Sequence, residues 1–232
     1  MTSEKFRRAE LAYAMSRAAA SSALVEFPRI ANGMNMTLSG PAPVETLYFD
    51  DIRHSLYRQG RDKNPDQMQV RVRSYADSSP TRKYIELKIT KGKDVDKRRT
   101  IVHVEAWGDS AGFCISALPE TDAPTLSRFQ EIIDKRELIP TLLMRYERTA
   151  LSSSNNDSFR LTADEGICAK SVVGVRWDSK DLLLMELVVF ELKTTGPLSI
   201  GLARELERLR LGEPQPVSKF VKCTEALFDV GS

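Results

Sequence analysis

The 232 residues, 41% hydrophobic and 28% charged, suffice for one sizeable globular domain and carry a formal charge of only +2. A chain so nearly balanced does not attract nucleic acid in bulk, so any anion site must come from where the charges stand. Three widely spaced cysteines (Cys114, Cys168, Cys223) without a CxxC pair, and two isolated histidines (His54, His103), exclude the usual thiolate and imidazole metal centres and favour a reducing compartment.

No apolar leader with a cleavage site opens the chain, and no run approaches about 18 apolar residues, which predicts a soluble cytoplasmic protein. ELAYAM (10–15) predicts a short strand, and the alanine-rich SRAAASSALVEF (16–27) a helix. A Gly/Pro-marked loop, NGMNMTLSGPAP (32–43), then leads to the alternating strand VETLYFD (44–50). DIRHSLYRQG (51–60) predicts a short helix closed by Gly60. QMQVRVRSY (67–75), KYIELKIT (83–90) and KRRTIVHVE (97–105), separated by the turns ADSSPT and KGKDVD, predict an antiparallel meander. TDAPTLSRFQEIIDKREL (121–138) breaks the β pattern with apolar residues at helical spacing behind a Thr/Asp start. IPTLLMRYERTAL (139–151) and SFRLTAD (158–164) predict a hairpin around SSSNND. KDLLLMELVVFELKTT (180–195) predicts one long, mostly apolar strand ended by Gly196-Pro197. IGLARELERLRL (200–211) predicts a helix packed on the sheet or capping one mouth of a barrel, and VSKFVKCTEALF (217–228) closes the chain. With no repeat and no Pro/Ser-rich linker, residues 1–232 read as a single α+β domain. Its strands are numerous enough to close into a barrel.

Period-two alternation sorts the charges by strand face. Arg71 shares a face with Arg73, and Glu86 with Lys88 and Thr90; Lys97 goes with Arg99, Tyr146 with Arg148, and Arg160 with Thr162 and Asp164. Glu191 and Lys193 interrupt the most apolar strand, MELVVFELK, where a charge is costly unless paired or bound to an ion. On a single strand such alternation is the ordinary mark of a solvated face with cross-strand ion pairs. On five strands, with bases outnumbering acids about two to one, it calls for an anion between them, because facing cations destabilise a sheet. Arginine's planar fork and lysine's compact charge both suit phosphate oxygens, and interspersed acids suit a divalent ion bridging those oxygens. The residues alone point to a polyanion site with oxygen-ligated Mg2+ or Mn2+, beside the plainer reading of a structural β-domain with salt-bridged faces.

The succession LYFD, RVRSY, YIELK, KRR, RYERTAL, RLTAD, FELK and SKF, spread from about Val44 to Lys222, resembles the VTC (vacuolar transporter chaperone) domain of polyphosphate polymerases. That domain belongs to the triphosphate tunnel metalloenzymes, relatives of the CYTH proteins. The resemblance implies a closed antiparallel β-barrel with flanking helices and a lumen lined by Arg, Lys and Glu. It assigns a catalytic grip on phosphates to Arg71, Arg73, Lys88, Arg148, Arg160, Lys193 and Lys219. Substrate contacts fall to Lys97, Arg99, Tyr146 and Ser218. Glu191 matches the metal-binding acid; Glu86 and Asp164 are candidates either for metal or for pairing with a neighbouring arginine. One departure stands in the first strand, where family members carry an acid followed by a lysine: here Glu10 is followed by Ala12.

The activity implied by the resemblance is a metal-dependent phosphotransferase, using Mn2+ or Mg2+, that moves the γ-phosphoryl group of ATP onto a polyphosphate chain. Its partners would be ATP and polyphosphate or triphosphate, with no nucleic acid. The alternatives are a triphosphatase of the same superfamily, with water as acceptor, and a non-catalytic module binding polyphosphate or another polyanion, to which Ala12 lends weight.

Overall fold

The computed structural model describes residues 8–75, 81–105, 114–154, 158–172 and 183–230. Along the chain come β1 (Arg8–Ser16), α1 (Arg17–Gly33), β2 (Met36–Asp50), α2 (Ser55–Arg61), β3 (Asp66–Tyr75), β4 (Arg82–Lys91) and β5 (Asp94–Glu105). There follow β6 (Cys114–Ser116), α3 (Ala123–Arg136), β7 (Ile139–Ser153), β8 (Phe159–Ser171), β9 (Leu183–Leu184), β10 (Leu187–Thr195), α4 (Ile200–Arg208) and α5 (Lys219–Val230). Strand neighbours run β1-β10-β8-β7-β2-β3-β4-β5-β6, with β9 beside β8. The class is the expected one, an antiparallel sheet flanked by helices. Among the described residues the hydrogen-bonded ladder ends at β1 and at the three-residue β6, where a closed ring of pairings was expected. The turn residues 76–80 and 155–157, and residues 180–182 of the long apolar strand, lie outside the described residues.

The chain divides into two compact units, the first made of Met1–Pro43, Tyr146–Ile167 and Met185–Val217, the second of Val44–Arg145, Cys168–Leu184 and Ser218–Ser232. In the first, β1 pairs with β10 and β10 with β8. Alternate residues Leu161 and Ala163 of β8 and Val188, Phe190 and Leu192 of β10 are buried with Ala20, Ala23, Phe27 and Ile30 of α1 and Leu202 of α4. Phe27 meets Phe190 edge-on at 6.3 Å, and each such fully buried side chain contributes about 2–3 kcal/mol. Ser16 Oγ accepts the Ala19 N–H at 3.3 Å and starts α1. The helix runs past its expected end, through Pro28, because Ile30 and Ala31 continue the buried face.

Residues 36–43, expected as loop, are the first half of β2. Gly40 has φ +94, and a Cβ there would overlap the Arg148 carbonyl oxygen of β7, so this glycine is where the two backbones touch. The β2–β3 register covers Val44–Phe49, so among the described residues Pro41 breaks no β3 ladder with its missing N–H. Gly and Pro punctuate loops most often, but an edge half-strand tolerates both.

In the second unit, Leu47, Phe49, Val70, Val72, Ile85, Leu87, Val102 and Val104 are buried on one face of β2–β5. Phe129 of α3 packs edge-on against Phe49 at 5.6 Å, and Asp122 caps that helix by accepting the Thr125 N–H at 3.1 Å. The Asp50 carboxylate accepts the N–H groups of Leu56 and Tyr57, both at 2.9 Å, and so starts α2. Gly60 does not close α2; it lies inside the helix, where a Cβ would come 2.8 Å from Val221 Cγ2 of α5. The expected long strand 180–195 is broken at Met185 and Glu186, because β9 takes its register from Cys168 and Ala169 while β10 pairs with residues 159–164 of β8.

Candidate functional site

With the apolar residues of β2–β5 committed to one face, period two leaves their neighbours on the other. Cross-strand register assembles these into rows. One reads Tyr48, Arg71, Glu86, Arg99; the next reads Thr46, Arg73, Tyr84, Ile101; on the other side stands Gln69, Lys88, Lys97. Arg71 Nε donates to Glu86 Oε2 at 2.8 Å and its Nη1 to the Tyr48 hydroxyl at 3.2 Å. Arg73 Nη1 lies 3.3 Å from the same carboxylate oxygen, and Arg73 Nε donates to Thr46 Oγ1 at 3.1 Å. Arg99 Nε stands 3.7 Å from Glu86 Oε1. Burial by itself would raise the Glu86 carboxyl, but the charges of Arg71, Arg73 and Arg99 bring it down to about 2. Lys88 and Lys97 face one another directly, a pairing that costs stability unless an anion offsets it.

Aromatic rings hold the guanidinium groups in place. Arg71 lies over Tyr48 at 5.8 Å, and Arg99 over Tyr84 at 3.9 Å and Tyr75 at 5.2 Å. Tyr48 stacks on Phe220 at 4.7 Å, which ties the start of α5 to this face. Lys219 opens α5 and is buried, while Ser218 Oγ accepts the Val221 N–H at 3.4 Å and so serves the helix terminus.

In the first unit the corresponding residues are those that β8 and β10 turn away from α1. Glu191 is flanked by Ala12 on β1 and Thr162 on β8; Lys193 is flanked by Glu10 and Arg160. Lys193 and Arg160 thus form a second directly opposed pair of cations, with one acid beside them. Arg148 Nε and Nη2 donate to Asp164 Oδ1 and Oδ2 at 2.6 and 2.7 Å, and Asp164 is fully buried. Burial disfavours the Arg148 charge, but the hydrogen bonds and charge of Asp164 outweigh it and hold the guanidinium protonated. Its guanidinium carbon lies 5.4 Å from the ring of buried Tyr146.

Three groupings therefore emerge among the residues singled out by sequence. Arg71, Arg73, Glu86, Lys88, Lys97 and Arg99 share one face of the second unit. Tyr146, Arg148, Arg160, Glu191 and Lys193 belong to the first unit. Ser218 and Lys219 stand at the start of α5. Glu86 and Asp164 are both engaged by arginines. Tyr48, Thr46, Tyr75 and Tyr84 were not foreseen. Tyr75 and Tyr84 share the parity of Arg73 and Glu86 and were discoverable; Tyr48 and Thr46 required the β2–β3 register.

Among the described residues, no three His, Cys, Asp or Glu side chains gather into a metal cage. The donors near Glu191 nevertheless suit a hard cation. Thr162 Oγ1, opposite it, is buried without a hydrogen-bond partner, leaving an oxygen beside a carboxylate. Mg2+ and Mn2+ take such sparse oxygen sets and fill the remaining positions with water and phosphate oxygens.

The VTC domain family matches residues 11–228. No curated protein matches the chain. Among solved structures, the PH1819 protein of Pyrococcus horikoshii OT3 is 11% identical with a TM-score of 0.51, over 95% of this chain and 99% of that one. HpAC1 from Hippeastrum, described as having a dominant triphosphatase activity, is 12% identical with a TM-score of 0.49, over 95% and 96%. At such identity the first likeness shows a shared fold, and the antiparallel α+β class expected above stands. Since the match runs through all but the ends of the chain, this protein belongs to the VTC domain family.

Proposed function

We propose that this chain is a polyphosphate polymerase, transferring the γ-phosphoryl group of ATP onto the terminal phosphate of a polyphosphate chain, with its catalytic machinery in one domain. The observation that carries the reading is the Glu86 hub: a mostly buried carboxylate holding Arg71 and Arg73, with Arg99 near it and the opposed Lys88 and Lys97 alongside. Guanidinium groups so braced present their remaining N–H donors without reorganisation when phosphate arrives. Phosphoryl transfer asks little covalent chemistry of a protein; positioning and charge neutralisation carry most of it. In the first unit Arg148 and Arg160, with Tyr146 and Lys193, would grip phosphates; in the second, Lys219 would add positive charge. Glu191, with Thr162 beside it, would hold Mn2+ or Mg2+, which would supply positive charge to offset that of the reacting phosphates.

Ala12 supports a second reading, a polyanion-binding module. It stands directly opposite Glu191, where the family carries a lysine, so the cation expected there is missing. A triphosphatase differs from the polymerase only in its acceptor. Among the described residues no helix is long and apolar enough to cross a membrane; a cytoplasmic location is our reading from cysteine usage. Incubation with ATP and Mn2+, followed by a polyphosphate gel and a free-phosphate assay, separates the three. Long chains support the polymerase, free phosphate alone the hydrolase, and binding without turnover the module.

A further inference from the structure

The charged face of β3–β5 is not uniform along its strands. Row by row it passes from Lys88 and Lys97, through Arg71, Glu86 and Arg99, to Arg73 with Tyr84 and then to Tyr75. Toward that end aromatic rings join the charges, with Tyr75 and Tyr84 on the face that also carries Arg82 and His103. Lys88 and Tyr84 are four strand residues apart, about 13 Å, comparable with an extended nucleoside triphosphate. Tyr75 and Tyr84 meet edge-on, centroids 5.6 Å apart with an interplanar angle of 73°, and make a two-walled aromatic corner. The Arg99 guanidinium sits in that corner, 3.9 Å from one ring centroid and 5.2 Å from the other. Its carboxylate neighbour, at 3.7 Å, is beyond hydrogen-bond distance and already holds Arg71 and Arg73. Arg99 is thus placed chiefly by the rings, and its side chain remains 49% exposed. Such a planar cation, backed by tyrosine and half exposed, is a stacking surface for a nucleobase.

Resting on the phosphate-binding reading above, we propose that Tyr84, Tyr75 and Arg99 form a nucleobase subsite that makes this face prefer nucleoside triphosphates to inorganic triphosphate. Tyr84 would be the specificity-determining residue, since its ring backs Arg99 at 3.9 Å and carries no charge for phosphate.

The test is calorimetric binding of ATP and of tripolyphosphate to the wild-type chain, Tyr84→Leu and Tyr84→Phe, with circular dichroism checking the fold. Loss of one stacked base is worth about tenfold in affinity. Tyr84→Leu should therefore weaken ATP about tenfold and leave tripolyphosphate within about twofold, while Tyr84→Phe keeps both. Equal loss for the two ligands, or none for ATP, overturns the subsite and leaves the phosphate site standing. Wild-type protein that binds neither ligand overturns both. Hypochromism of the adenine band when ATP binds wild-type protein gives a readout independent of the variants; binding without it also overturns the subsite.

Discussion

Replacing Glu86 by glutamine tests the hub most directly, because it keeps the side chain's size and removes only its charge. In the native chain the carboxyl is depressed from an ordinary 4.5 to about 2, and the side chain is 14% exposed. At 1.36 kcal/mol per pH unit that fall corresponds to about 3 kcal/mol, the lower end of what breaking a buried ion pair costs. Because the folded value lies below the unfolded one, this stability is fully present above pH 4.5 and is lost as pH falls through 2. Urea unfolding of wild type and Glu86→Gln, followed by circular dichroism between pH 7 and pH 2, should show a gap of about 3 kcal/mol at neutral pH that closes across that window. The variant also leaves Arg71 and Arg73 without their shared carboxylate, so an anion should substitute for it. Tripolyphosphate should raise the Tm of the variant more than that of the wild type. Equal stability at pH 7, or a gap unchanged down to pH 2, would refute the hub.

Arg148→Met should cost about 3–5 kcal/mol in urea unfolding, because it removes the guanidinium that grips the fully buried Asp164 carboxylate; adding Asp164→Leu should recover much of it. Gly60→Ala should destabilise by about 1–3 kcal/mol through its contact with Val221, and Val221→Ala in the same chain should relieve the loss relative to Val221→Ala alone. Glu191→Gln should abolish Mn2+-dependent turnover and weaken Mn2+ binding by electron paramagnetic resonance while the circular dichroism spectrum is retained; unchanged metal binding would remove Glu191 from the site.

Strand identity was legible wherever one face is apolar, because Val70, Val72, Ile85 and Leu87 alternate with charge over their whole length and no helix could bury them together. The misread stretches are those where tertiary contact overrode local signals. Gly40-Pro41 looked like a loop and lies inside a strand, since the glycine lets β7 approach and the proline has no β3 partner. Gly60 looked like a helix stop and is a notch for Val221. Pro28 looked beyond its helix and is inside it, kept there by the buried Phe27, Ile30 and Ala31.

The candidate site was legible to the level of faces and no further. Parity shows that Glu86 and Lys88 share a face, and that Lys97 and Arg99 share one, but not which acid meets which base. That depends on register, and register is set at the turn. The β4–β5 hairpin closes through Gly92, at φ +56, and Lys93, with Lys91 opposite Asp94. Five residues back from Lys91 is Glu86, and five on from Asp94 is Arg99, so this turn alone brings the carboxylate to its arginine. A slip of two residues one way would set Glu86 against Lys97 and Lys88 against Val95. A slip the other way would set Glu86 against Ile101 and Lys88 against Arg99, leaving the acid without its cation on β5 and deepening the repulsion beside it. The salt-bridged hub is therefore as much a product of a two-residue turn as of the arginines that compose it.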